Sequence, residues 1–176
     1  LEFGELVAEA GFPPGVVNIV TGHGEPCGKA LTSHPLVARI SFTGGPNAAR
    51  HVLYNSAENF AEVSLELGGK SPLIIFDNAH LENAVSAALL GNFYTQGEIC
   101  SNSSRVFVHE ALYDDFLDQL TERTRKMKIG DPQDPDTDVG SLIHNEHLQK
   151  VLGYVEQGKQ EGARLVLGGS RITDGA

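Results

Sequence analysis

The sequence predicts an α/β fold built on parallel strands. Short β-branched apolar runs alternate with longer stretches of helical periodicity. Gly and Pro clusters mark the joins between them. The chain has 176 residues, enough for one domain or for parts of two. Leu1 begins on what reads as a helix already under way, and Gly175-Ala176 closes no element. An internal piece of a longer protein is the expectation.

Leu1, Phe3, Leu6, Val7 and Ala10 recur near helical spacing, and Gly11 ends that helix. Pro13-Pro14-Gly15 is a turn, and Val16 to Val20 reads as a buried strand. After the loop Thr21-Gly22-His23-Gly24, a short helix is expected over Glu25 to Thr32. Leu36 to Phe42 reads as a strand, and Pro46 opens a helix through about Ser56. Glu62 to Leu67 and Leu73 to Phe76 read as further strands, with Gly68-Gly69 between them as the expected domain boundary. Asp77-Asn78 supplies capping residue types for a helix from Leu81 to Tyr94. A strand follows around Val106 to Val108. Glu110 to Met127 reads as a helix with Leu112, Tyr113, Phe116, Leu117, Leu120 and Met127 facing inward. The acidic, Pro-rich stretch from Gly130 to Asp136 is expected as a flexible, solvated connection. A helix near Asn145 to Gln160 and a strand from Arg164 to Leu167 complete the reading.

Composition narrows the function. A formal charge of −10 argues against nucleic acid and against anionic membranes, which select basic surfaces. No apolar run approaches the roughly 20 residues of a membrane span. Two cysteines and no obvious secretory signal point to a reducing compartment. The cytoplasm is the default expectation, with an upstream targeting segment left open.

Three local patterns bear on chemistry. Cys100 stands at a junction after Gly97, between a helix and a strand. Such a thiol is either a buried packing residue or a nucleophile, and a nucleophile needs positive potential, donors or a nearby base. Glu66 lies in an apolar strand just before two glycines. It is either desolvated, with base strength raised, or turned outward on a half-buried strand. Thr43-Gly44-Gly45-Pro46 joins a strand to a helix start, whose unpaired N–H groups favour phosphate. It is either a pyrophosphate turn or an ordinary strand–helix turn. Gly22-x-Gly24 with Gly28 spaces its third glycine one residue late for the dinucleotide fingerprint. His144 and His147 share a helical face, without a further ligand cluster. Cys27 reads as a packing residue, and Glu98 either tunes Cys100 or spaces the turn.

Leu65-Glu66-Leu67-Gly68-Gly69-Lys70-Ser71-Pro72 and Phe93 through Gly97-Glu98-Ile99-Cys100 together resemble the NAD(P)-dependent aldehyde dehydrogenase superfamily. The first reproduces the family's glutamate motif letter for letter. The second fits its Gly-Gln/Glu-x-Cys motif. The resemblance covers essentially the whole chain, and Cys100-Ser101-Asn102 leans softly toward the betaine-aldehyde branch.

The resemblance implies residues 1–68 as the later part of a Rossmann-like NAD(P)-binding domain. It implies 69–176 as most of an α/β catalytic thiol domain. It implies Cys100 as the nucleophile that forms a thiohemiacetal and then a thioester, and Glu66 as the base that activates water. Gly44, Gly45 and Pro46 would hold the pyrophosphate of NAD or NADP. Gly24 and Gly28 would line the adenine cleft, and the Leu67 carbonyl would meet the carboxamide. The substrate would be a small aldehyde, and the parent protein a homo-oligomer. The family's oxyanion Asn and ribose-binding Lys belong before Leu1, and its Glu-x-Phe-Gly-Pro segment after Ala176. The isolated chain is therefore expected to have little or no dehydrogenase activity. A non-catalytic structural or interaction module on the same fold is the alternative. A relative that passes its acyl group to a thiol is disfavoured by Glu66.

Overall fold

A computed structural model describes residues 1–172. The chain divides into two compact units, Leu1–Gly68 and Gly69–Ala176. The expectation that Gly175-Ala176 closes no element lies outside the described residues.

In the first unit, α1 spans Glu2–Glu9 and a short helical turn, Gly24–Gly28, leads into α2, Lys29–Thr32. Strand β1, Arg39–Gly44, is followed by α3, Pro46–Ser56, and β2, Glu62–Leu67. Extended Gly45 caps α3 and Pro46 takes its first position, where its missing N–H costs nothing. β1 and β2 pair in parallel, from Arg39 opposite Glu62 to Gly44 opposite Leu67. The crossover helix buries Ala49, Val52 and Ser56, one face at helical spacing. Asn59 ties the chain after α3 to α2's exit, donating to the His34 carbonyl at 2.8 Å.

The second unit repeats the motif. It holds β3, Pro72–Ile75; α4, Leu81–Phe93; β4, Arg105–Val108; α5, Glu110–Arg125; and α6, Asn145–Gln160. β3 and β4 are parallel, from Pro72 opposite Arg105 to Ile75 opposite Val108. Ile75, Val85, Ala88 and Phe116 form the core. Small residues at 84 and 88 bring α4 close to α5, and truncating Phe116 there would cost about 3–5 kcal/mol.

Several sequence expectations are corrected. Val16 to Val20 forms no strand, and Arg164 to Leu167 forms none either. A β-branched run becomes a strand only when a neighbour supplies the ladder, and among the described residues none does for these. Asp77-Asn78 does not cap α4: His80 takes that position, without a side-chain cap bond. Tyr113 is exposed while Phe116, three residues on, is buried. The acidic loop carries bonds of its own. Gln133 N–H donates to Asp131 Oδ1, Asp136 N–H to Asp134 Oδ1, and Lys128 Nζ to Asp134 Oδ2. Among the described residues no helix is long and apolar enough to cross a membrane.

Candidate active site

The cysteine turn is built from the end of α4. After Phe93, the backbone turns left-handed at Thr95, Gln96 and Gly97, with φ of 47°, 58° and 72°. Only glycine fits at the third position, since a Cβ there would lie 2.5 Å from the Asn92 carbonyl oxygen. The two non-glycine residues store strain of about 1–3 kcal/mol each, which the surrounding bonds must hold. The Asn102 N–H closes the next turn onto the Ile99 carbonyl at 3.0 Å. Cys100 stands on that turn and is exposed.

Asn102 points the opposite way and is buried. Its Nδ2 donates to the carbonyls of Gly91, at 3.0 Å, and Tyr94, at 3.5 Å. The Ser103 N–H adds a 2.7 Å bond to the same Gly91 carbonyl. A buried amide thus clamps the turn to the last turns of α4, while the sulfur two residues earlier stays accessible. Among the described residues, Asn102 Oδ1 has no partner.

The approach to β3 frames the turn from a second side. A Cβ on Gly69 would sit 2.9 Å from the Cys100 carbonyl oxygen. Arg105 Nε donates to the Lys70 carbonyl at 2.9 Å, and the Arg105 N–H to the Ser71 carbonyl at 3.3 Å. The Cys100 N–H donates to no group among the described residues, which leaves it available to an oxyanion.

The other candidate residues belong to the first unit. Glu66 pairs with Thr43, and Leu67 with Gly44, at the carboxyl ends of β1 and β2. Gly45 and Pro46 follow directly, so five candidates gather at one sheet end. A parallel sheet offers its ligand crevice at that end. Gly24 and Gly28 lie apart from them in sequence, bracketing the turn ahead of α2. Glu66 is exposed, the outward of its two alternatives and not the desolvated one: its strand carries Leu65 half-buried and Glu66 outward.

Gly45 leaves open space, and the first N–H groups of α3 meet no side-chain cap. That donor set fits an anionic group such as a pyrophosphate. Gly44 is packed instead, since a Cβ there would lie 2.6 Å from the Phe42 ring.

Sequence reasoning misses Asn102 as the clamp, although an Asn just past a broken helix is a type that satisfies loose carbonyls. Nor does spacing join Glu98 to His147, yet His147 Nε2 lies 3.2 Å from Glu98 Oε1. His144 caps α6, its Nδ1 accepting from the His147 N–H at 3.1 Å. Among the described residues, no cluster of His, Cys, Asp and Glu is arranged to hold a metal ion.

The profile of the aldehyde dehydrogenase family matches residues 1–176. The chain is 49% identical over 174 residues to a betaine aldehyde dehydrogenase of Vibrio vulnificus, covering 99% of this chain and 36% of that protein. It thus spans about a third of the length of the curated relatives it matches. Among solved structures, HpcC from Thermus thermophilus superposes with a TM-score of 0.92 at 48% identity, over 97% of this chain and 33% of that one. Betaine aldehyde dehydrogenase from Staphylococcus aureus, in complex with NAD+, gives 0.92 at 40% identity, over 98% and 34%.

Proposed function

This chain belongs to the aldehyde dehydrogenase family, and from that premise we propose that its protein oxidises an aldehyde to the carboxylate with NAD or NADP. The observation that carries the reading is the exposed Cys100 on a turn clamped from beneath by Asn102. The first unit serves the cofactor and the second supplies the thiol. Gly44, Gly45 and Pro46 would hold the pyrophosphate at the start of α3, Gly24 and Gly28 would line the adenine side, and the Leu67 carbonyl would receive the carboxamide.

Cys100 Sγ, as thiolate, attacks the aldehyde carbon, and the carbonyl electrons move to oxygen. The Cys100 N–H donates to that oxyanion, where a fixed dipole stabilises charge without reorganisation. A bound nicotinamide supplies the acceptor for the hydride. The carbon–oxygen double bond re-forms, and Cys100 carries the acyl group as a thioester. Glu66 takes a proton from water, the water oxygen adds to the acyl carbon, and the carbon–sulfur bond breaks. Covalent attachment divides one difficult oxidation into two easier steps.

The similarity to betaine aldehyde dehydrogenases makes a quaternary-ammonium aldehyde the first substrate to try. The homo-oligomer belongs to the same reading: exposed Leu53 and Tyr54 on α3, with Phe60 after it, offer apolar surface for it. The test is steady-state kinetics of the protein that carries this chain. Cys100→Ser should remove at least about a thousandfold of kcat, the scale of losing a nucleophile. Glu66→Gln should slow turnover strongly while leaving Cys100 acylation intact. Unchanged turnover in Cys100→Ser rejects the mechanism. No turnover with any aldehyde in the native protein supports a non-catalytic module.

A further inference from the structure

The turn that carries Cys100 is held on its far side by α6 and the segment leading into it. Two contacts make this junction. His147 Nε2, on the first turn of α6, lies 3.2 Å from Glu98 Oε1, two residues before Cys100. Gln96 lies against Gly140, where a Cβ would come within 2.9 Å of the Gln96 Nε2. Beside the second contact is a cavity of about 450 Å³ whose lining includes Phe93, Gln96, Gly140, His144 and Leu148. Glu98 follows the strained residues Thr95 and Gln96, so its side chain is well placed to fix where the turn ends.

We infer that His147 is a positioning residue for the nucleophile, holding the Cys100 turn through Glu98. The inference rests on the reading of Cys100 as nucleophile. The imidazole of His147 is steered from its own helix, since its backbone N–H donates to His144 Nδ1 at 3.1 Å. The two rings stand edge to face, with centroids 6.3 Å apart. That leaves Nε2 directed at Glu98. The pair is half-exposed, with side-chain exposures of 33% for His147 and 44% for Glu98. Such pairs add little to fold stability. The consequence is therefore local: without His147, Glu98 loses its partner and the turn loses a tether two residues before the sulfur. The other charged groups on the elements framing the turn include Lys70 and Arg105, bonded to the Gly69 and Lys70 carbonyls, and Glu146, Lys150, Glu156 and Lys159 on α6.

The test is the alkylation rate of Cys100 by iodoacetamide at neutral pH, read by peptide mapping. Cys27, half-buried in the other unit, is the internal reference thiol. His147→Gln should change the Cys100 rate by about threefold, because the shorter side chain leaves Glu98 unheld and the turn displaced. Glu98→Gln combined with His147→Gln should give the same rate as His147→Gln alone, because both remove one and the same contact. An unchanged rate in His147→Gln overturns the inference. So does a double variant slower than either single one, or a parallel change at Cys27, which would mean general loosening. Failure of the underlying reading shows elsewhere, as full aldehyde turnover in Cys100→Ser, and leaves these rates interpretable.

Discussion

Gly69 and Cys100 meet backbone to backbone: a Cβ on Gly69 would stand 2.9 Å from the Cys100 carbonyl oxygen. The glutamate motif therefore reaches the cysteine motif through its own second glycine, three residues after Glu66. Gly69 and the Cys100 turn cannot shift past each other without one giving way.

Gly69→Ala should force the Cys100 turn outward. Overpacking of this kind costs about 1–3 kcal/mol. The expected outcome is a kcat/KM at least about tenfold lower, with Cys100 alkylation altered. Gly153, in mid-α6, is the control, since a Cβ there meets nothing within 4 Å. Gly153→Ala should raise stability by about 0.4–1 kcal/mol in urea unfolding and leave kcat/KM as it was.

Asn102→Ala removes the clamp: the Gly91 carbonyl keeps only the Ser103 N–H, and the Tyr94 carbonyl loses the Asn102 donor. Losing a hydrogen bond of this kind costs about 0.5–1.5 kcal/mol. Urea unfolding should show that loss, and Cys100 should alkylate with a broader spread of rates. Asn102→Asp should be worse, because a carboxylate cannot donate to either carbonyl. Equal stability in all three proteins would remove Asn102 from the account.

Gly45→Ala separates cofactor binding from folding. Its backbone, at φ −82° and ψ 155°, suits alanine, and a Cβ meets nothing within 4 Å. The methyl group instead fills the space before the α3 N–H groups. The KM for NAD or NADP should rise about tenfold or more with the melting temperature nearly unchanged, since close backbone approach is what glycine provides there.

Much of this was legible in the sequence because local chemistry and global fold agree. Pro46 after two glycines set the start of α3, and Phe116 at helical spacing marked the core. Periodicity placed α6 at Asn145–Gln160 without adjustment. What failed was whatever depends on a partner. Val16 to Val20 has strand composition but no ladder among the described residues. Glu66 is a different case: it faces outward, as alternation with Val63, Leu65 and Leu67 permits. The clamp by Asn102 and the pairing of Glu98 with His147 join residues distant in sequence, which spacing does not encode.

The acidic loop should respond to pH. Hydrogen bonding from Lys128, with a further bond from the Asp136 N–H, holds the Asp134 carboxyl below the usual aspartate value of 3.8. A depressed folded value means the contribution is present above the unfolded value and lost as pH falls through the folded one. Amide exchange across residues 128–138 should accelerate below about pH 4, the ordinary aspartate range. In Asp134→Asn that step should be absent. An identical acid response in both proteins would assign it to other carboxylates.

The central claim is that Cys100 holds the acyl group and Glu66 brings the water that releases it. The most direct measurement is mass spectrometry of Cys100 and Cys27 peptides from the Glu66→Gln protein, quenched in acid after mixing with aldehyde and NAD or NADP. The account predicts an acyl mass on the Cys100 peptide alone, removed by hydroxylamine and absent without cofactor. Turnover that proceeds with Cys100 never acylated, or an acyl group on Cys27 instead, would contradict it.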